Sequence, residues 1–246
     1  MTNDDGIHAP GLQVLERIAR SLSDDVWVVA PEAEQSATSH SLTLRRPVRP
    51  RRHEEQRFSV DGTPTDCVLV AHRYILKERP PDLVLSGINH GSNLGEDVTY
   101  SGTVAAAMEA ALLGVPAIAL SQMRQGDEKI AWETAERYAP EIIGHLVSMP
   151  WPRDLLVNVN FPPLPPDRVR GIRACRQGRR DVGTTVTESQ DPSGRTYLWI
   201  GNFLNDDSTD LSTDLAAVTE GAISITPLHL DMTHKATLET LSGIFQ

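Results

Sequence analysis

Residues 82–121, DLVLSGINHGSNLGEDVTYSGTVAAAMEAALLGVPAIALS, decide the fold. DLVLSG (82–87) is a short, continuous apolar run ending on serine and glycine, the pattern of a strand buried on both faces. SGTVAAAMEAALLG (101–114) is alanine-rich, too long for such a strand, and closes on Gly114, which predicts a helix with a glycine terminator. PAIALS (116–121) reads as the next buried strand. Strand, loop, helix and strand in succession make one βαβ unit, and such units imply a parallel sheet with right-handed crossovers.

The rhythm extends in both directions. Upstream, Leu12, Leu15, Ile18, Ala19 and Leu22 recur at helical spacing, and VWVVA (26–30) has the length of a buried strand. TPTDCVLVAHRYIL (63–76) predicts a helix capped by Thr63 with Pro64 at its first position. Downstream, 127–149 predict a long helix interrupted at Pro140, and LLVNVNF (155–161) a further strand. Residues 1–165 therefore read as a doubly wound α/β core with a mainly parallel sheet. The stiff PPLPP (162–166) opens a C-terminal extension over 166–246. In it RVRGIRAC (168–175) is strand-like, and TTVTES (184–189) and RTYLWIG (195–201) flank QDPSG as a β-hairpin arm at about 181–201. A short helix near Thr213, a strand AISITPL (222–228) and a last helix from Thr237 return the chain to the core.

Composition bounds the function. The chain has 246 residues and a net charge of −10, so a nucleic-acid duplex is repelled over most of the surface, and no stable nucleic-acid partner is expected. Cys67 and Cys175 lie outside any metal or disulfide pattern, no apolar run approaches a membrane span, and the N-terminus lacks a signal region. These features predict a cytoplasmic protein without a membrane partner. Lys77, Lys129 and Lys235 are the only lysines, and the arginine groups at 45–52 and 176–180 read as solvated or interface positions.

In an open parallel sheet, ligands bind beyond the carboxyl ends of the strands. Four loops collect polar residues there: Asn3–Asp4–Asp5–Gly6, residues 31–41, Ser86–Gly87–Ile88–Asn89, and Ser101–Gly102–Thr103. Adjacent Asp4 and Asp5 repel unless a cation or proton intervenes, and an isolated pair is more often a helix cap beside a solvated residue. Ser36 and Asn89 at neighbouring strand ends shift that balance. With them the donor set suits a hard divalent cation, Mg²⁺ or Mn²⁺, and contains no soft ligand. The Ser101–Gly102–Thr103 turn offers hydroxyls and free N–H groups at a helix start, an anion site as well as an ordinary cap. Neither G-x-G-x-x-G nor G-x-x-x-x-G-K-[ST] occurs. His8, His40 and His90 fall in the same loops, where an imidazole reads as a surface residue or as a proton donor to a leaving alkoxide.

TNDDGIHAPG, APEAEQSATSHSLTL, VDGTPTDCV, the 82–121 stretch and the late GAISITPL together resemble, in order, the motifs of the SurE survival-protein family of metal-dependent, acid phosphatase-like 5′-nucleotidases. The resemblance implies a Rossmann-like core, a homodimer or homotetramer joined through the swapped arm, and removal of phosphate from nucleoside 5′-monophosphates, with relatives acting on 3′-nucleotides and polyphosphate. It places the metal ligands on Asp4, Asp5, Ser36 and Asn89, one divalent ion per subunit. The phosphate pocket falls on Ser101, Gly102 and Thr103, with Asn3 and Gly6 close by. Asp4 or Asp5 is then the catalytic residue, either directing a water in line or attacking phosphorus itself. A receiver-type regulator would be about half as long and needs a strand-end lysine, and a non-catalytic nucleotide sensor with the same pocket is the alternative. One feature departs from the family: relatives carry an apolar strand before T-N-D-D-G, whereas this chain offers only Met1 and Thr2. The expectation is a missing central strand, supplied by a few further N-terminal residues in the natural chain.

Overall fold

The computed structural model describes residues 1–126, 130–181, 186–201, 204–205 and 210–245. In chain order the elements are α1 (Pro10–Leu22), β1 (Val28–Pro31), β2 (Pro50–Glu54), β3 (Arg57–Val60), α2 (Pro64–Val70), β4 (Val84–His90), α3 (Gly102–Leu112), β5 (Ala117–Gln122), α4 (Trp132–Val147) and β6 (Leu155–Phe161). The extension adds β7 (Ile172–Ala174), β8 (Arg180–Asp181), β9 (Val186–Gln190), β10 (Thr196–Ile200), β11 (Leu204–Asn205), α5 (Asp214–Thr219), β12 (Ile223–His229) and α6 (Lys235–Ile244).

The main sheet runs β4-β5-β6-β12-β7, with β4, β5 and β6 parallel and β12 antiparallel to β6. A second sheet, β1-β3-β2, pairs β1 and β3 in parallel and adds β2 antiparallel at the edge. Met1 and Thr2 join the two. Val29 N–H donates to the Met1 carbonyl at 2.9 Å, Thr2 N–H to Leu85 O at 3.0 Å, and Gly87 N–H to Thr2 O at 2.9 Å. Thr2 and Ser86 form a parallel bridge. Met1 and Thr2 thus occupy the central position as a two-residue stub, which completes the order β3-β1-stub-β4-β5-β6 of a Rossmann-like sheet. Beside the stub is a cavity of about 760 Å³ bordered by Met1, Val29, Cys67, Val68, Leu83 and Leu85.

Helices cover both faces, which explains why the strands read as unbroken apolar runs. Leu85, Ile118, Leu120, Val157, Val159, Phe161 and Ile223 pack against Val14, Leu15 and Ile18 of α1 and Ile142 and Ile143 of α4. Val84, Ala117, Ala119, Leu156 and Leu228 face Val68 of α2 and the alanines of α3. Alanine at those positions lets the helix approach closely, and Gly87 does the same for the two strands, since a Cβ there would lie 2.2 Å from Leu120 O of β5. Thr63 and Asp66 form a reciprocal capping box on α2, and Gly114 ends α3 at φ +79°.

One expectation needs correction. α4 begins at Trp132 and runs unbroken through Pro140, while 127–129 lie outside the described residues. The arginine-rich 45–52 segment is partly a strand: β2 is solvent-exposed throughout and an edge strand, so it carries no apolar alternation to read. The predicted hairpin forms as β9–β10 over 186–200, and 184–185 of TTVTES lie outside the described residues. Among the described residues no helix is long and apolar enough to cross a membrane.

Candidate functional site

The stub ends where the sheet reverses its winding, so Asn3, Asp4 and Asp5 emerge at the carboxyl edge between β1 and β4. Asn3 is fully buried and donates from Nδ2 to Gly6 O at 2.9 Å, which closes the turn, while its Oδ1 has no partner among the described residues. Asp4 is 5% exposed and accepts a short hydrogen bond from Thr103 Oγ1. Its carbonyl receives Gln35 N–H at 2.7 Å. The N-terminus of α3 closes directly over it: a Cβ on Gly102 would meet Asp4 Cβ at 2.8 Å and Asp4 Oδ2 at 3.0 Å. Ser101 caps that helix, accepting from Val104 N–H at 3.1 Å. The structure therefore brings Asp4, Gly102 and Thr103 into one contact.

Asp5 points along the other wall and accepts from His90 N–H at 3.1 Å, next to Asn89. Asn89 donates from Nδ2 to Gly91 O at 2.9 Å, which leaves Oδ1 as its free acceptor. Ser36 lies in the loop after β1 and donates to Glu34 Oε1 at 2.8 Å. Glu34 is close enough to Asp5 to raise its pKa.

Burial dominates the electrostatics. It lifts the Asp4 carboxyl to about 6, helped by the charge of Asp5 and opposed by the Thr103 hydrogen bond. Burial also raises Asp5, against the His90 amide and with the Glu34 charge. Neither carboxylate has an ion-pair partner among the described residues. The crevice thus concentrates negative charge beside a helix N-terminus. No three His, Cys, Asp or Glu side chains cluster among the described residues, so a cation here would draw on two carboxylates and neutral oxygens.

Of the three histidines, His8 is exposed and stands edge-on to His53 with ring centroids 6.3 Å apart. His90 contributes its backbone amide. His40 has its Nε2 on Glu109 Oε2 at 3.0 Å. Arg176 pairs with Asp210, and Arg180 pairs with Asp97 at 3.3 Å with only 13% of its side chain exposed. Sequence reading missed the supports beneath the 91–99 loop. Asn93 O accepts from Asn158 Nδ2 at 2.8 Å and Asn160 Nδ2 at 3.1 Å, and buried Asp214 accepts from Gly95 N–H at 3.0 Å and Gly178 N–H at 2.8 Å. Polar residues inside the otherwise apolar LLVNVNF run were the available signal for the asparagines.

Fold and site define a Rossmann-like α/β protein with an acidic pair at the central strand end, facing an open helix N-terminus. The family described as Survival protein SurE matches residues 1–184, and the chain belongs to that family. It is 55% identical to 5′-nucleotidase SurE of Paramagnetospirillum magneticum over all of this chain and 94% of the relative. It is 53% identical to 5′-nucleotidase SurE of Caulobacter vibrioides over 99% of this chain and 94% of the relative. The crystal structure of SurE protein from Aquifex aeolicus superposes with a TM-score of 0.87 at 41% identity, covering 100% of this chain and 98% of that one.

Proposed function

We propose that this chain is a 5′-nucleotidase that depends on a divalent metal, Mg²⁺ or Mn²⁺, to remove phosphate from nucleoside 5′-monophosphates. The nucleotidase reading is supported by full-length relatives of that name at more than half identity. The observation that carries the chemistry is the contact of buried Asp4 with Gly102 and Thr103, which sets an uncompensated acidic pair against a helix N-terminus. Substrate phosphate is an anion and cannot approach that pair without a positive partner. Asp4, Asp5, Ser36 and Asn89 supply oxygen donors of the hard type, so the residues present fit such an ion. Bound there, the ion would neutralise phosphate charge as the P–O bond breaks.

The chain's own groups do the rest. The Ser101 hydroxyl and the N–H groups of Gly102 and Thr103 hold non-bridging phosphate oxygens, and Asn3 and Gly6 shape the floor. Asp5, the more open of the two carboxylates, orients the attacking water, and the Thr103 hydroxyl holds Asp4 in place. The same pocket would accept 3′-nucleotides or the end of a polyphosphate, because its recognition begins at the phosphate. Leu198, Trp199 and Ile200 on β10 are more than half exposed on a two-stranded ribbon that has no core of its own. A second copy of the chain is the partner that would cover them, in a homodimer or homotetramer working in the cytoplasm.

A panel of nucleoside 5′- and 3′-monophosphates and polyphosphate, assayed for inorganic phosphate with and without Mg²⁺ or Mn²⁺, tests the proposal. Metal-dependent release from 5′-monophosphates is expected. Binding of the nucleotides without phosphate release would make the chain a sensor instead.

A further inference from the structure

We propose that His40 and Glu109 form a clamp that holds the Ser36 loop in its metal-binding shape, so that His40 is a positioning residue rather than a proton donor. The inference rests on the metal reading above. It starts from the backbone: Ala37 and Ser39 lie at φ +58° and +55°, the left-handed region that side chains with a Cβ disfavour. Two such residues within three positions do not hold this shape unaided, so the surroundings impose it.

Hydrogen bonds tie the loop down along its length. At its start, the loop gives Gln35 N–H to Asp4 O at 2.7 Å. Farther along, Ser39 N–H donates to Tyr100 O at 3.1 Å and Ser39 Oγ to Thr99 O at 2.7 Å. The last tie is His40 Nε2 to Glu109 Oε2 at 3.0 Å. Glu109 is 7% exposed on the alanine-rich α3 and has no other partner among the described residues. A carboxylate buried in such a helix is costly unless it is hydrogen-bonded, and here the imidazole alone satisfies it.

Position gives the clamp its function. α3 begins with the Ser101–Gly102–Thr103 turn that closes over Asp4, and Glu109 lies two turns farther along the same rigid element. Anchoring His40 to Glu109 therefore fixes Ser36, four residues earlier, relative to both the phosphate turn and Asp4. Groups that orient metal ligands without touching the metal typically govern affinity by about 10- to 100-fold.

The test compares the full chain with His40→Ala, His40→Gln and Glu109→Gln. Amide exchange across residues 35–41 is read without metal, Mn²⁺ binding is read directly from the spin-resonance signal of the free ion, and kcat is read at saturating Mn²⁺. His40→Ala should speed exchange at Ser39 and weaken Mn²⁺ binding about tenfold. His40→Gln, whose amide nitrogen can still donate to Glu109, and Glu109→Gln, whose side-chain oxygen still accepts, should recover most of both. Unchanged exchange and Mn²⁺ affinity in His40→Ala would overturn the clamp. So would a His40→Gln variant that binds Mn²⁺ like the parent but loses kcat, since His40 would then be donating a proton. If the parent chain binds no Mn²⁺, the metal reading falls and the affinity half of the proposal with it, while exchange still decides whether the clamp exists.

Discussion

Replacing Asp4 with asparagine should stabilise the metal-free protein while abolishing its activity. Asp4 is 5% exposed and its carboxyl is raised from 3.8 to about 6, chiefly by burial. At pH 8 the folded chain holds that group ionised, at a cost of about 3 kcal/mol relative to the unfolded chain for a shift of about two units. Asparagine has nearly the same shape and carries no charge, and its Oδ1 can still accept the Thr103 hydroxyl. The gain should approach that figure, and at about 2–4 °C per kcal/mol for a chain of this length the melting point should rise by roughly 5–10 °C. The sign with pH follows from a raised folded-state pKa. The penalty is absent below about 4 and complete above about 6, so the advantage of the variant should vanish as pH falls through that window. Denaturant melts in chelator at pH 8 and pH 4, with phosphate release measured separately at pH 8 in saturating Mn²⁺, make the assay. A variant less stable than the parent at pH 8, or one that still turns over nucleotide, would mean that the buried Asp4 charge neither strains the fold nor serves the reaction.

Gly102→Ala should cost about 1–3 kcal/mol and at least tenfold in turnover, because the new methyl would meet Asp4 Cβ at 2.8 Å and Pro64 Cγ at 3.1 Å; melting and steady-state rates check it. Four apolar residues fused ahead of Met1 should enter the roughly 760 Å³ cavity beside the stub. The fused chain should melt higher and hydrolyse nucleotides faster, and equality with the 246-residue chain would mean the cavity does not receive a strand. Deleting residues 184–200 removes the apolar ribbon and should lower the oligomer size measured by light scattering, and an unchanged mass would contradict the arm's role.

The parallel core was legible because strands covered on both faces are apolar at nearly every position, as LVL, AIAL and LLV are. The edge escaped detection for the converse reason: Arg51, Arg52 and Glu54 in β2 are exposed, so nothing in their pattern marks a strand. Met1 and Thr2 were too few to read as a strand at all, and only the hydrogen bonds to Leu85, Gly87 and Val29 reveal their place. Pro140 is tolerated in α4, where a proline lacking its N–H usually ends a helix. The crevice loops could be gathered from the strand order, since a doubly wound sheet sends its strand-end loops to one edge. What tunes them could not. Glu109 meets His40 across 69 positions and Asp214 meets Gly95 across 119, contacts that no local pattern encodes.

In the proposed reaction the acidic pair at the stub's end works through a divalent metal on a nucleotide phosphate. Its most direct test is phosphate release from a nucleoside 5′-monophosphate by the parent chain and Asp5→Asn, each stripped with chelator and then titrated with Mn²⁺. The stripped parent should be inactive and recover on titration. Asp5→Asn should stay down by on the order of 10²-fold or more at any Mn²⁺ concentration, a loss of several kcal/mol of transition-state stabilisation. Full activity of the parent in excess chelator, or an Asp5→Asn variant that matches it at saturating Mn²⁺, would contradict the account.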